Sequence, residues 1–247
     1  MNSTLPLALT FLTKLPWPWR GPADETALAR SMFWFPWVGA VLGLIFWGAW
    51  AGLHRVLPAP AAAALLLTLT VWVTGGLHLD GLADTADGLG GGRTPEEALF
   101  IMKDSRVGAF GVISLILALV LKFSLFLSLA TQTRGAEALL LFPVISRWGM
   151  VLLAYLSPYA RAEGGLGQAM TLGVSPRVLT GASLSAGGLS LLILGAPGLV
   201  LIIAAGALVW LGSLYCQRRL DGITGDILGA TNEVVEIMVL AGALMLT

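Results

Sequence analysis

Residues 74–111, TGGLHLDGLADTADGLGGGRTPEEALFIMKDSRVGAFG, hold six of the fourteen acidic side chains of the chain. Asp80, Asp84 and Asp87 stand at i, i+4 and i+7, so on a continuous helix their carboxylates share one face. Each such charge costs about 2.5–3.5 kcal/mol at the centre of a spanning helix, and three together also repel one another. The cluster is therefore expected at an aqueous end or against a cavity, neutralised by a cation. Magnesium suits it, because it takes hard oxygen ligands and shares its coordination sphere with substrate phosphates. Downstream, Lys103-Asp104-Ser105-Arg106 sets a further carboxylate between two cations. Acid for a metal beside Lys and Arg for phosphate oxygens is the arrangement of a metal-bound phosphate site. The expected metal ligands are Asp80, Asp84, Asp87 and Asp104, with Lys103 and Arg106 on the phosphates. The plainer alternative is a solvated acidic turn with basic residues decorating a loop.

A second polar cluster, LDGITGDILGATNEVVE, covers residues 220–236. Asp226 and Glu233 are seven apart and share a helical face, with Gly229 between them leaving room for a ligand. Glu233 and Glu236 enter an apolar run, where acidic residues are functional candidates by default; pairing with Lys122 or Arg147 as buried ions is the other reading. Arg147 follows Ser146 inside an apolar run and needs a partner or a cavity, and a substrate phosphate would serve. His78, two residues before the first aspartate, is either a structural hydrogen-bonding residue or a substrate contact. The glycines at 88 and 90–92 would let the backbone turn sharply or approach a ligand.

These residues hang on an apolar frame. Of 247 residues 57% are hydrophobic and 11% charged, where a soluble domain carries about 25% charged residues. The sequence predicts an all-α polytopic membrane protein, a single domain over residues 1–247. Seven stretches approach the roughly 20 apolar residues a crossing needs: 33–57, 61–79, 109–130, 136–156, 179–194, 198–215 and 230–246. Counts of six to eight fit the same pattern. Residues 4–19, interrupted by Pro6, Pro16 and Pro18, predict an interfacial helix with Trp17 and Trp19 at headgroup level. Thr94, Pro95 and Glu97 form the N-cap, first position and N3 of a short cytoplasmic helix. Ten basic residues fall in loops on one side of this map and two on the other, which predicts an inside N-terminus and a cytoplasmic site. Residues 1–16 lack the pattern of a cleavable signal, so the first crossing is expected to direct insertion. The formal net charge of zero leaves no electrostatic footprint for nucleic acid, and the one cysteine, Cys216, reads as an apolar helix residue.

The runs GGLHLDGLADTADG and IMKDSRVGAFG, the Ser146-Arg147 pair, YARAEGGLG at 159–167, TGDILGA at 224–230 and the opening FLTKLP at 11–16 together resemble the cobalamin synthase family. Its members are adenosylcobinamide-GDP ribazoletransferases. The resemblance runs in order along nearly the whole chain. It departs at Asp221-Gly222, where the family usually has two glycines. It implies a magnesium-dependent enzyme of the cell inner membrane. A ribose hydroxyl of alpha-ribazole, or of its 5'-phosphate, would attack the cobinamide-linked phosphate of adenosylcobinamide-GDP, releasing GMP and forming adenosylcobalamin or its 5'-phosphate. Membrane lipid surrounds such a protein, and a homo-oligomer stays open. Asp84-x-x-Asp87-Gly88 is also similar to the aspartate motif of CDP-alcohol phosphotransferases, which keeps a lipid-synthesis enzyme as the alternative; that reading needs a further aspartate pair at that family's spacing, and the Gly-rich run after Gly88 and the absence of that family's Ala-Arg from its expected place argue against it. A cation-coupled transporter would show two related halves, and the sequence has none.

Overall fold

The computed structural model describes residues 4–16, 24–131, 135–161 and 166–246, and these are almost wholly helical. In chain order the helices are α1 (Thr4–Leu12), α2 (Glu25–Ser31), α3 (Phe35–Val56), α4 (Ala59–Thr74), α5 (Leu77–Gly91), α6 (Pro95–Ile101), α7 (Ala109–Ser128), α8 (Gly135–Leu156), α9 (Leu166–Gly173), α10 (Pro176–Leu194), α11 (Ala196–Leu220) and α12 (Gly225–Leu246). Six of the helical stretches are long and apolar enough to cross a membrane: α2–α3 taken together, α7, α8, α10, α11 and α12. The chain is thus an all-α, multi-pass membrane protein.

The expected crossing at 61–79 departs from this pattern. Its helix stops at Thr74, because Gly75 and Gly76 take left-handed backbone angles, φ 65° and 72°. The Gly76 N–H donates to the Val71 carbonyl and the Gly75 N–H to that of Trp72, the two-bond C-terminal closure that glycine makes without steric penalty. The chain restarts as α5 at 88° to α4. The three aspartates therefore ride on a separate helix turned off α4, and α4 and α5 make a seventh crossing only if the bent pair counts as one broken span.

α8 is the central post. Nearly all of its residues from Leu139 to Ala154 are buried, and α3, α10, α11 and α12 pack around it. α7 stands outermost and presents Ile113, Ile116, Leu117, Val120 and Leu121 outward, the stripe an outer membrane helix shows to lipid. The N-terminal segment is helical over its first part: α1 ends at Leu12, short of the expected 4–19, and buries Leu7, Ala8, Leu9 and Leu12 against the protein. Phe11 stacks on Phe35, with ring centroids 6.2 Å apart, and the Trp34 indole donates to Thr4 Oγ1 at 3.1 Å. Trp17 and Trp19, expected at headgroup level, lie outside the described residues. The short helix α6 starts as expected: the Glu97 N–H donates to Thr94 Oγ1 at 3.2 Å. The Glu97 carboxylate reaches back one residue further than a standard capping box, to the Arg93 N–H at 2.8 Å. The glycines at 88, 90 and 91 form no turn; they belong to α5 and let α6 and the start of α7 pack against it.

Candidate active site

The site is assembled where α5 lies across the start of α12. Gly81 and Gly229 make that crossing close: a Cβ on Gly81 would stand 2.6 Å from the Asp226 carbonyl oxygen, and one on Gly229 would stand 3.3 Å from the His78 Cα. The space that sequence reasoning reserved for a ligand beside Gly229 is thus filled by the backbone of α5. A second device brings in the loop after α8. Tyr159 and Ile223 form a parallel bridge, with the Ala160 N–H donating to the Ile223 carbonyl and the Ile223 N–H to that of Pro158, both at 2.9 Å. This zipper delivers Arg161 to Asp226, and its guanidinium donates to the carboxylate at 2.7 Å. The Thr224 hydroxyl donates to the same oxygen at 3.1 Å. Asp221, at the turn into this loop, adopts φ 59°, a left-handed conformation that glycine takes freely; the departure from Gly-Gly falls on a position of backbone shape.

The aspartates of α5 divide by environment. Asp80 is exposed and Asp84 half-buried. Burial, reinforced by the neighbouring charges of Asp80, Asp226 and Asp87, raises the Asp84 carboxyl to about 6, against a smaller lowering by Arg161. Asp87 is buried, and both its oxygens are engaged: Oδ2 accepts from the Gly108 N–H at 2.6 Å and Oδ1 from the Gly111 N–H at 2.8 Å. It thereby closes the N-terminus of α7, whose first amides have no helical partners. Asp104 sits on the turn after α6, where Arg106 donates from Nη2 to its Oδ2 at 2.6 Å and from Nε and its backbone N–H to Oδ1 at 3.0 Å. These bonds hold the Asp104 carboxyl down to about 2. Lys103 and Arg106 are exposed on that turn.

The structure separates Glu233 and Arg147 from this group. Lys122 Nζ donates to Glu233 at 2.6 Å and to Glu236 at 2.5 Å. Arg147 donates to Glu236 and, at 2.9 Å, to Ser146 Oγ, and the Asn232 amide also donates to Glu236, at 3.0 Å. All four ionic side chains are at most 5% exposed, so two cations and two anions form a closed, neutral quartet among α7, α8 and α12. Asp226 and Glu233, expected to share a ligand, have different partners here: Asp226 meets Arg161 and Glu233 meets Lys122. His78 packs beside the quartet, 2% exposed, with neither ring nitrogen hydrogen-bonded.

Two participants escaped sequence reasoning. Arg161 counted there only as a loop cation, and its one signal was the YARAEGGLG run. Arg219, read as a topological charge, donates to the carbonyls of Gly92 and Arg93 and ties the end of α11 to the α5–α6 turn. Beside Asp80 opens a cavity of about 580 Å³, bounded by the α4–α5 corner, α7, the end of α1 and the residues that follow it.

Among the described residues no three His, Cys, Asp or Glu side chains converge closely enough to hold a metal alone. The expected four-aspartate cage is not assembled, since Asp87 is committed to the amides of α7 and Asp104 to Arg106. Magnesium does not require such a cage; it is commonly held by one or two carboxylates plus substrate phosphates. Asp80 and Asp84, one helical turn apart on α5, are the carboxylates left to fit that mode.

A sequence model of the family described as Cobalamin-5-phosphate synthase matches residues 4–244. An adenosylcobinamide-GDP ribazoletransferase from Syntrophobacter fumaroxidans is 44% identical over 239 residues, covering 96% of each chain. One from Desulforamulus reducens is 42% identical over 241 residues, covering 97% of this chain and 95% of its own. One from Pseudomonas putida is 44% identical over 245 residues, covering 98% of each. No solved structure matches.

Proposed function

The chain belongs to the cobalamin-5-phosphate synthase family, and from this premise we propose how its residues carry out the ribazoletransferase reaction on adenosylcobinamide-GDP. A ribose hydroxyl of alpha-ribazole or its 5'-phosphate attacks the cobinamide-linked phosphorus. The new P–O bond forms as the bond to the GMP oxygen breaks. GMP departs, and adenosylcobalamin or its 5'-phosphate remains. A CDP-alcohol phosphotransferase is not favoured, since the relatives share one activity in name over nearly the full chain.

The observation that carries the reading is the close crossing of α5 over the start of α12 at Gly81, which sets the Asp80–Asp84 pair beside Asp226 and its partner Arg161. Asp80 and Asp84 would hold magnesium, which when bound offsets charge on the diphosphate. Arg161, fixed by Asp226, is the cation that the fold brings to the carboxylates, and it orients phosphate oxygens. Lys103 and Arg106, on their exposed turn, supply further positive charge toward the leaving nucleotide. The proton of the attacking hydroxyl passes to whichever oxygen of the Asp80–Asp84 pair the metal leaves free. With the bent pair α4–α5 taken as one crossing, the ten-to-two distribution of basic loop residues supports an inside N-terminus and a site facing the cytoplasm from the cell inner membrane.

The test uses the purified full chain in lipid nanodiscs with both substrates, following GMP release by chromatography. Release requires magnesium, and Asp84→Asn lowers the turnover rate by a hundredfold or more, on the order expected for loss of metal or acid–base function. Full turnover by that variant, or equal turnover with chelator, refutes the proposed roles. CDP-diacylglycerol should yield no CMP.

A further inference from the structure

The cavity of about 580 Å³ beside Asp80 is lined by Lys14, Phe11, Thr74, Gly75, Leu115 and Leu119, among others, as well as by Asp80 itself. That volume lies within the range of about 300–1,000 Å³ for small-molecule sites. It accommodates a nucleotide-sized group and is far too small for a corrinoid. One wall is apolar, supplied by Phe11, Leu115 and Leu119, and would take a hydrophobic base. Among the described residues, Lys14 is the one cation that lines it.

The lysine is held there by the fold. Its backbone N–H donates to the Val73 carbonyl at 2.7 Å, pinning the segment after α1 to the end of α4. Its side chain then lies across the α4–α5 corner, where a Cβ added to Gly75 would meet Lys14 Cε and Cγ. Among the described residues no carboxylate pairs with its ammonium. Asp80 stands one helical turn beyond Gly76, about 6 Å of rise. The cavity is therefore polarised, with a cation at the corner and a carboxylate one turn along α5. A nucleoside 5'-phosphate matches that polarity, its phosphate toward Lys14 and its ribose hydroxyls toward Asp80.

We propose that this cavity binds the nucleotide-sized acceptor and that Lys14 reads its 5'-phosphate, making Lys14 the residue that favours alpha-ribazole 5'-phosphate over alpha-ribazole. The inference rests on the transferase reading above. It adds an acceptor site and a specificity residue to that reading.

The experiment compares the full chain with its Lys14→Ala and Lys14→Arg variants, measuring kcat and KM separately for the two acceptors. Fluorescence-detected size exclusion and thermal melting establish that each variant is folded. The Lys14→Ala change should lower kcat/KM for alpha-ribazole 5'-phosphate by about tenfold or more, the worth of one charge-assisted hydrogen bond. The loss should appear in KM and be distinctly smaller for alpha-ribazole, so that the preference collapses, while Lys14→Arg keeps it. Equal losses on both acceptors overturn the proposal, as do an unchanged preference or a KM effect confined to adenosylcobinamide-GDP. The same assays are run in phosphatidylcholine discs with and without phosphatidylglycerol. A Lys14→Ala defect seen only with the anionic lipid would identify the phosphate as a lipid headgroup and overturn it too. Failure of the wild-type chain to use either acceptor would instead reject the transferase reading.

Discussion

Replacing Lys122 by Met should be among the most damaging single changes outside the site, and restoring neutrality should reverse most of the damage. Lys122 is 2.6 Å from Glu233 and 2.5 Å from Glu236, with side-chain exposures of 4%, 5% and 4%. Removing the ammonium leaves two buried carboxylates facing one remaining cation, Arg147. Breaking a buried pair by deleting one partner costs about 3–5 kcal/mol, largely because the other charge stays desolvated. Glu233→Met alone leaves an excess cation and should cost a similar amount. In Lys122→Met/Glu233→Met both members of one pair are gone, and Arg147–Glu236 persists as a neutral unit with Asn232. The double variant should then be at least about 2 kcal/mol more stable than the sum of the two single effects predicts. The assay is reversible unfolding of the four proteins in one lipid or detergent system, read as a double-mutant cycle. Additive losses would refute the reasoning, since they would mean that the two charges do not compensate each other. GMP release by the double variant gives a second reading: substantial activity is expected if Glu233 is structural, and its abolition in a well-folded protein would return Glu233 to the site.

Two further outcomes separate the roles of the α5 aspartates. Asp87→Asn places an amide group where two backbone N–H groups now find oxygens, and it should destabilise the protein by about 2 kcal/mol, measured by thermal melting; Asp84→Asn, which removes no such anchor, should leave the melting temperature equal or higher. Asp84 is held at about 6 against an ordinary 3.8, so the folded state keeps the proton longer than the unfolded chain does. Its contribution is complete below about 3.8 and is lost as pH rises through about 6, so without divalent cation the melting temperature should fall across that window, and Asp84→Asn should flatten the fall.

The helical frame was readable from sequence because a membrane crossing is a strong, one-dimensional signal. The expected stretches 109–130 and 136–156 correspond closely to α7 and α8. The failures are local and have physical causes. Apolarity continues through Gly75–Gly76, so hydropathy could not see that two left-handed glycines end α4 and turn α5 by 88°. The spacing of Asp80, Asp84 and Asp87 correctly predicts one helix and says nothing of their partners; that Asp87 serves the amides of α7 depends on where α7 begins in space. Likewise the seven-residue interval from Asp226 to Glu233 is real, yet the two are assigned to Arg161 and Lys122 by packing between helices far apart in the chain. Arg161 needs the Tyr159–Ile223 bridge to reach the site, and no local pattern announces a bridge of that kind.

The quartet also sets a problem of timing during synthesis. Glu233 follows Lys122 by 111 residues and Glu236 follows Arg147 by 89. At about 5–20 residues per second, α7 waits roughly 6–22 s at the insertion machinery or in the bilayer before its counter-ion is translated. For that interval two cations are destined for an apolar interior that cannot yet neutralise them, each at about 2.5–3.5 kcal/mol. The nascent helices must stay loosely associated, with water or lipid headgroups reaching the charges, until α12 arrives. The last helix therefore acts as a latch, and the carboxylates of α5 gain their opposing wall in the same event.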